Sequence, residues 1–330
     1  MSTPSDAGAG PEGGSEGGSE GGSGGMSRRQ LLRHTAWFGA AVVLTVTGGE
    51  VISHIGGAAA PATAALAQDP NALRFVQISD SHLGFHGPAN TDVTGSFSRA
   101  VDQVNTLGFR PDFVMHTGDL THLSTQAQFD QVKQMLGGLR AGTVFTVPGE
   151  HYSVDDHGQK YRATFGAGSH GDGWYSFDIK GVHVIALVNT LALEKLGHLG
   201  TDQLDFVRKD VAGLSNDTPI VVFSHIPLFA MYPAWGWGTD DATQALSYLR
   251  RFSSVTCLNG HVHQLFTKTD GNITFYSATT TAYPLPHPGV GPGPIPLTLP
   301  AGALGAALGV RDVTYQPGRH VLAIRDRRLA

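Results

Sequence analysis

Five short apolar runs, each followed within a few residues by Asp, Glu or His, constrain the fold of this chain more than any other feature. They are rich in Val, Phe and Ile, as buried strands are, and they span residues 73–78, 113–115, 144–147, 219–223 and 255–258. The longer amphipathic stretches between them predict helices at residues 97–107, 126–139, 201–214 and 241–252. This alternation predicts an α/β fold.

Two turn sequences predict β-hairpins in the second half of the pattern. Lys180-Gly181 separates the apolar stretches 174–179 and 182–188, and the turn at residues 270–272 separates 265–269 from 273–276. The Pro- and Gly-rich stretch 284–300 has no periodic pattern, and its composition fits either a long ordered loop or flap or a disordered segment.

The first 67 residues differ in composition from the rest. Residues 1–25 consist mainly of Gly, Ser and Glu and predict a disordered segment, because they cannot bury apolar surface. Residues 26–67 begin with a basic region that contains Arg28 and Arg29, continue with an uncharged apolar stretch, and end in small residues suited to cleavage. This order predicts a signal peptide.

The paired arginines resemble a twin-arginine signal, which implies the twin-arginine export machinery as a partner. We therefore expect an exported protein, periplasmic or extracellular, that is tethered to the membrane if the signal is not cleaved. Cleavage is favoured because the apolar run is shorter than the roughly 20 residues that a spanning helix needs.

Histidine is abundant, with 16 among 330 residues, and this is a first indication of metal chemistry. Cys257 is the single cysteine, so an intrachain disulfide is excluded, and its apolar surroundings favour packing over reactivity. The formal net charge is −5 and no basic stripe is visible, so no nucleic-acid polymer is expected as a partner. A small anionic substrate fits this charge if metal ions supply positive charge locally.

Each predicted strand end delivers side chains that bind metals well. In chain order they are Asp80-Ser81-His82, Gly118-Asp119, Gly149-Glu150-His151, His225 and Gly260-His261-Val262-His263. Loops at the carboxyl ends of strands gather at one edge of an open α/β sheet, so residues far apart in sequence can converge there. A lone His or Asp at a strand end is usually structural, whereas five such ends together indicate a shared site.

In this order the motifs resemble those of the calcineurin-like metallophosphoesterase superfamily, across most of residues 73–264. The resemblance implies that residues 68–330 form one catalytic domain, a four-layer α-β-β-α sandwich of two mixed sheets flanked by helices. It implies a metal-dependent hydrolase of small-molecule phosphate esters, either monoesters or diesters. The order of the motifs is similar to that of the cyclic-nucleotide phosphodiesterase branch.

The resemblance also implies two divalent or mixed-valence metal ions, and Fe, Mn and Zn all suit the side chains concerned. The ligands implied for the first ion are Asp80, His82, His263 and the bridging Asp119. The ligands implied for the second ion are Asp119, Glu150, His225 and His261. A hydroxide between the ions would attack phosphorus, and His151 would contact the substrate and protonate the leaving oxygen.

Three positions depart from the family pattern. Glu150 stands where the family has a neutral Asn, and it either binds the metal directly or withdraws from it. His122 follows Asp119 by three residues, where purple acid phosphatases carry a tyrosine ligand, and it is either an additional ligand or a hydrogen-bond donor behind the ligands. Tyr152 stands where the family has Asp or Glu, so the hydrogen-bond support of His151 is expected to be altered or lost.

These departures keep a second hypothesis open, an exported metal-binding protein with a degenerate or altered, even redox-active, two-metal site. A further pair of alternatives concerns residues 228–237, which follow His225 and are rich in aromatic side chains. They form either an apolar wall for a nucleobase or acyl group or part of the core.

Overall fold

Two mixed β-sheets, packed face to face, form the centre of the fold. The computed structural model describes residues 42–47, 50–55, 69–193, 195–316 and 321–329. Helices cover the outer face of each sheet, which confirms the predicted four-layer α-β-β-α sandwich.

Within the described ranges, the first sheet contains seven strands. In spatial order they are β1 (Val42–Thr47), β2 (Glu50–Ile55), β13 (Val321–Arg328), β12 (Gly309–Gln316), β3 (Leu73–Ile78), β4 (Phe113–His116) and β5 (Thr143–Thr146). Strands β3, β4 and β5 are parallel, so their carboxyl ends lie at one edge. Strand β12 is antiparallel to both β13 and β3.

The second sheet contains six strands of the described chain. In spatial order they are β10 (Phe266–Asp270), β11 (Ile273–Ser277), β9 (Val255–Asn259), β8 (Ile220–Ser224), β7 (Val182–Ala186) and β6 (Tyr175–Ile179). The four central strands are parallel. Both predicted hairpins are confirmed as the antiparallel pairs β6–β7 and β10–β11.

The helices of the described residues are α1 (Val93–Asn105), α2 (Gln126–Leu136), α3 (Ser153–Asp156), α4 (Gln159–Phe165), α5 (Thr201–Val211), α6 (Ala242–Leu249) and α7 (Leu304–Ala307). Short 3-10 turns lie at Glu150–Tyr152 and Pro233–Trp235. Helix α1 begins before the predicted position because the side chain of Asp92 accepts a hydrogen bond from the backbone N–H of Gly95.

The two faces of each central strand pack into different cores. In β3, Phe75 faces the opposite sheet and stacks on Phe113 with ring centroids 4.7 Å apart, while Val76 and Ile78 face helices α1 and α2. In β9, Leu258 faces the first sheet and Cys257 packs towards α5 and α6. Burial on both faces explains why these strands are continuous apolar runs in the sequence.

Strands β12 and β13 were not predicted from the sequence. Arg311 in β12 pairs with Asp326 in β13, with Nε and Oδ1 2.8 Å apart, and Arg327 pairs with Asp312, also at 2.8 Å. These pairs place charged residues within the two strands. Their sequences therefore lack the regular alternation of apolar and polar residues that predicts a strand.

Strands β1 and β2 lie within the stretch 26–67 that the sequence predicts as a signal peptide. Strand β2 pairs with β13, and β1 pairs with β2. The predicted disordered segment 1–25 and most of the predicted signal lie outside the described residues. None of the helices in the described ranges combines the length and apolarity that crossing a bilayer requires.

Residues 284–300 form a long loop without helix or strand. A backbone hydrogen bond of 2.9 Å from Leu297 N–H to the carbonyl oxygen of Pro284 closes it. The loop lies against the edge where the strand-end motifs converge, since Leu285, Pro294 and Pro296 line the cavity there.

Candidate metal centre

The nine predicted site residues come together at the carboxyl edge of the two sheets. They follow β3, β4, β5, β8 and β9, and each belongs to at least one close group of carboxylate and imidazole side chains. Within every group that could hold an ion, the potential ligand atoms lie within 4.8 Å of one another. Such groups include Asp80-His82-His263, Glu150-His225-His261, Asp80-Asp119-His225 and His82-His122-His151.

The first cluster contains Asp80, His82 and His263. The Nε2 atom of His263 lies 3.3 Å from Oδ1 of Asp80 and 3.2 Å from Nε2 of His82. The other ring nitrogen of His263, Nδ1, lies 2.6 Å from the backbone carbonyl oxygen of Tyr283. Because a carbonyl oxygen can only accept, Nδ1–H donates this hydrogen bond, which leaves the Nε2 lone pair directed into the cluster, as a metal ligand requires.

The second cluster contains Glu150, His225 and His261. Nε2 of His225 lies 2.5 Å from Oε2 of Glu150, and Nδ1 of His261 lies 2.8 Å from Oε1. Nδ1 of His225 lies 2.6 Å from the carbonyl oxygen of Thr117, so Nε2 is the ring nitrogen left for a metal.

Asp119 lies between the two clusters. Its Oδ2 atom is 3.4 Å from Nε2 of His225 and 3.6 Å from Nε2 of His82. The side chain is buried, and Oδ1 accepts a hydrogen bond of 3.3 Å from the backbone N–H of His151. This is the position that a carboxylate shared by two ions would occupy.

Several buried polar atoms have no hydrogen-bond partner among the described residues. They are Oε2 of Glu150, Nε2 of His225 and both ring nitrogens of His261. The close contacts of Glu150 with the two imidazoles therefore lack hydrogen-bond geometry. Buried polar atoms in native proteins are nearly always satisfied, and a cation at this cluster would satisfy Oε2 of Glu150, Nε2 of His225 and one ring nitrogen of His261. The residues present thus fit bound metal ions.

The charges of the site support cation binding. Burial acts to raise the pKa of the Glu150 carboxyl, but the facing His261 and His225 lower it well below its usual range. Burial likewise acts to raise the pKa of Asp80, and the charges of His263 and His225 reverse this to a lowered value. Burial and the neighbouring His151 hold the pKa of His82 well below its ordinary value, so its imidazole is neutral. Burial acts to lower the pKa of His225, but the facing Glu150 and Asp119 raise it well above its ordinary value. The carboxylates are thus in the form that binds a metal, whereas an ion that binds His225 must displace the proton of that imidazole.

Backbone conformations at the site are strained. Five of its residues have a left-handed φ, namely Asp80 (53°), His82 (42°), Asp119 (50°), His261 (68°) and His263 (52°). Such conformations cost about 1–3 kcal/mol each outside glycine and gather at functional sites. Glycine is required at 149 because a Cβ atom there would lie 2.0 Å from Oδ1 of Asp119.

His151 and Tyr152 take positions that the sequence did not predict. Tyr152 is buried, and its hydroxyl accepts hydrogen bonds from the backbone N–H groups of Leu120 and Thr121. His151 is supported instead by the backbone carbonyl of His122, which lies 2.7 Å from its Nδ1. The hydrogen-bond support of His151 is therefore altered but not lost, because a backbone carbonyl takes the place of a carboxylate.

The side chain of His122 approaches the back of the His82 ring. Its Nδ1 lies 3.5 Å from Nδ1 of His82, whereas Nε2 of His82 faces His263 and Asp119. His122 therefore lies at the Nδ1 side of His82, and it also forms a group with His82 and His151 whose potential ligand atoms lie within 4.8 Å of one another.

The ligand side chains border a cavity of about 210 Å³. Its walls include Tyr283, which sequence reasoning missed, together with Trp237 from the aromatic segment 228–237 and Leu285, Pro294 and Pro296 from the loop 284–300. Trp237 ends the aromatic segment 228–237, so that segment does supply one apolar wall, whereas its first residues, Leu228 and Phe229, pack into the core under α5 and α6.

Two sandwiched sheets with clustered carboxylates and imidazoles at their common carboxyl edge define a metal-dependent phosphoric ester hydrolase, a metallophosphoesterase. The chain belongs to the calcineurin-like phosphoesterase family, whose model matches residues 73–265.

Comparison with known proteins agrees with this class. A relative named a probable cyclic nucleotide phosphodiesterase, from Psychrobacter arcticus, is 24% identical over 229 residues, which cover 64% of this chain and 81% of the relative. The fold is similar to that of a dimetal phosphatase from Danio rerio, with a TM-score of 0.61 and 16% identity over 79% of this chain and 98% of that structure. It is also similar to a purple acid phosphatase from yellow lupin, with a TM-score of 0.57 and 14% identity over 80% and 52% of the two chains.

Proposed function

We propose that this protein hydrolyses small-molecule phosphate esters with two metal ions, divalent or mixed-valence, drawn from Fe, Mn and Zn. One ion would be held by Asp80, His82, His263 and Asp119, and the other by Asp119, Glu150, His225 and His261. The observation that carries the proposal is the position of Asp119, whose Oδ2 lies 3.4 Å from His225 and 3.6 Å from His82.

Bound ions would supply Lewis acidity towards the phosphoryl oxygens and the attacking water. The chain contributes the shape of the site and a proton. Since the carbonyl of His122 accepts from Nδ1 of His151, the Nε2 atom of His151 is turned towards Asp119, from which it lies 3.9 Å. From there His151 can contact a substrate between the clusters and protonate the leaving oxygen.

Relatives named cyclic nucleotide phosphodiesterases support a diester as the preferred substrate. The test is metal analysis of protein purified without added metal, paired with hydrolysis of bis(p-nitrophenyl) phosphate and p-nitrophenyl phosphate. Two ions per chain and turnover that Asp119→Ala abolishes are expected. Metal-loaded protein that cleaves neither ester nor a cyclic nucleotide would contradict the proposal.

A second candidate function is metal binding with little hydrolysis, at a degenerate or altered site that includes a redox-active one. It is favoured by Glu150, since an anionic ligand lessens the Lewis acidity available to a substrate. The variant Glu150→Asn separates the candidates. A large gain in turnover supports a degenerate site, whereas unchanged or lower turnover favours a site adapted to glutamate.

We also propose that the protein is exported through the twin-arginine machinery and acts outside the cytoplasmic membrane. Cleavage near residues 65–67 would remove β1 and β2 and leave β13 at the edge of the sheet. That strand ends in Arg325, Asp326, Arg327 and Arg328, and charged residues protect exposed edges from unwanted pairing. Replacing Arg28 and Arg29 together with lysine should retain the protein in the cytoplasm, and unchanged export of that variant would contradict the proposal.

A further inference from the structure

A second cavity adjoins the metal cavity. It encloses about 610 Å³, compared with about 210 Å³ for the metal cavity, and the two share His263 and Leu285 in their walls. We call it the side cavity. Nδ1 of His263 lies 2.6 Å from the carbonyl oxygen of Tyr283, and Nε2 of Gln264 donates to the carbonyl oxygen of Pro286 at 2.7 Å. These bonds fix the side cavity relative to a metal ligand.

The side cavity has a mainly aliphatic wall. The aliphatic side chains of this wall come from three segments, namely the residue before β10, the loop 284–300, and helix α7 together with the residue after it. The aliphatic side chains that they contribute include Leu265, Leu285, Leu297, Leu299, Ala307 and Leu308.

The charged side chains that border the side cavity are held by other groups of the protein. Asp326 pairs with Arg311 at 2.8 Å, and Arg327 pairs with Asp312 at 2.8 Å. The guanidinium of Arg328 donates to the carbonyl oxygen of Ala306. Because Asp326 and Arg327 are compensated by opposite charges and most of the wall is aliphatic, the cavity suits an apolar group.

The mouth of the side cavity is also apolar. Leu265 is 48% exposed and Leu297 is 40% exposed, and both line it. Large apolar side chains left accessible beside a cavity are typical of a surface that binds an apolar partner.

The volumes of the two cavities limit which part of a substrate each cavity can hold. Ligand pockets usually enclose roughly 300–1,000 Å³, so the metal cavity alone is smaller than a usual ligand pocket. The side cavity lies within that range and begins at the wall that both share.

We propose that the side cavity binds an alkyl or acyl chain of the ester whose phosphate lies at the metal centre, so that the preferred substrates are amphiphilic phosphodiesters. This inference rests on the proposed function, because it assumes that the phosphate occupies the metal cavity.

The test uses binding, independent of turnover. Methyl-, butyl- and octylphosphonate, which are not hydrolysed, are titrated into the metal-loaded protein by calorimetry. Each buried methylene contributes about 0.8 kcal/mol, or about fourfold in affinity. The affinity should therefore rise more than about tenfold from methyl to butyl and further to octyl.

Two variants test whether the alkyl chain of the phosphonates lies in the side cavity. Ala307→Trp fills the side cavity, and Leu297→Glu places a charge at its exposed mouth, where folding is not at risk. In both variants the affinity should increase much less with the length of the alkyl chain, and the affinity for methylphosphonate should be unchanged. The matched control is Ala303→Trp, at the N-cap of α7 and outside the cavity wall, which should keep the dependence.

Equal affinities for the three phosphonates in the unmodified protein would overturn the inference. So would a chain-length dependence that survives in both variants, since the chain would then bind elsewhere. Hydrolysis of bis(p-nitrophenyl) phosphate by the same preparations tests the proposed function separately. Turnover without chain-length dependence leaves that function standing and removes only the side-cavity inference. Chain-length dependence without turnover overturns the proposed function and with it the assignment of amphiphilic phosphodiesters as substrates, and leaves only the binding of an alkyl chain in the side cavity.

Discussion

The backbone carbonyl oxygen of His122 lies 2.7 Å from Nδ1 of His151, and the two imidazole rings pack with centroids 4.7 Å apart. The segment after β4 thereby orients His151, the side chain that we propose contacts the substrate. Because the acceptor is a main-chain atom, the support of His151 does not depend on which side chain stands at position 122.

His151→Ala should lower kcat by about 10²–10⁴-fold, the usual contribution of a positioned general acid, without changing metal content. The loss should be smaller for p-nitrophenyl phosphate than for phenyl phosphate, because p-nitrophenolate leaves without a proton. Rates for both esters and elemental analysis check this, with exposed His86→Ala as control. An equal loss for both leaving groups would argue against a proton donor.

If His122 orients His82 through the contact between their Nδ1 atoms, His122→Ala should weaken metal binding by about 10- to 100-fold and leave two ions at saturation. Competition with a chelator measures the affinity, and Leu123→Ala, at the exposed neighbour, is the control. A saturated variant with one ion fewer would instead make His122 a ligand.

Glu150→Gln should weaken metal binding at least about tenfold, because the change removes one negative charge between His225 and His261 while keeping the length of the side chain. Chelator competition again provides the measurement, and Asp172→Asn, a surface charge paired with Arg162, is the control. Unchanged affinity would show that Glu150 stays away from the metals.

Tyr152→Phe should lower the free energy of unfolding by about 1–3 kcal/mol, because two buried backbone N–H groups, of Leu120 and Thr121, would lose their acceptor. Denaturant unfolding of the metal-free protein checks this. Tyr248→Phe, whose hydroxyl accepts only from the exposed Gln244 within the described structure, should change it little. Equal stabilities of the two variants would contradict the role given to Tyr152.

His183 should make stability fall with rising pH. Burial acts to lower its pKa, but hydrogen bonds to Asp210 and Asp178, at 2.8 and 2.9 Å, raise it above the ordinary 6.5. The folded protein then binds the proton more tightly than the unfolded chain does. This contribution is complete below pH 6.5 and is lost as the pH rises through the folded pKa.

Melting temperatures between pH 6 and 9, with a chelator present, measure the effect of His183. The fall in melting temperature with rising pH should be smaller in His183→Gln. It should be unchanged in the control His287→Gln, which alters an exposed position. Parallel curves of melting temperature against pH for the unmodified protein and His183→Gln would contradict the role given to His183.

Elements with a simple burial pattern were predictable from the sequence. Strand β3 forms over the predicted residues 73–78, and helix α2 begins at Gln126 as predicted, capped by Thr125. Strands β12 and β13 escaped prediction because the pairing of Arg311 with Asp326 becomes visible only when the strands lie side by side.

In the candidate site, too, some residues could be predicted from the sequence and others could not. The side chains that resemble family motifs, such as Asp119 and His225, were found because their order along the chain identifies them. Tyr283 was missed, although its carbonyl oxygen orients His263, because a backbone acceptor twenty residues away leaves no pattern in the sequence. The support of His151 by the carbonyl of His122 was hidden for the same reason.

The position of β12 between β13 and β3 has a consequence for biosynthesis. A ribosome makes every residue of the metal centre before it reaches Gly309, so the nascent chain carries all the ligands while one edge of β3 is still unpaired. The scaffold that holds the strained ligand loops can close only after the last strands emerge. Metal loading is therefore expected to follow the end of translation, and chains cut before Gly309 should be captured by chaperones or proteases.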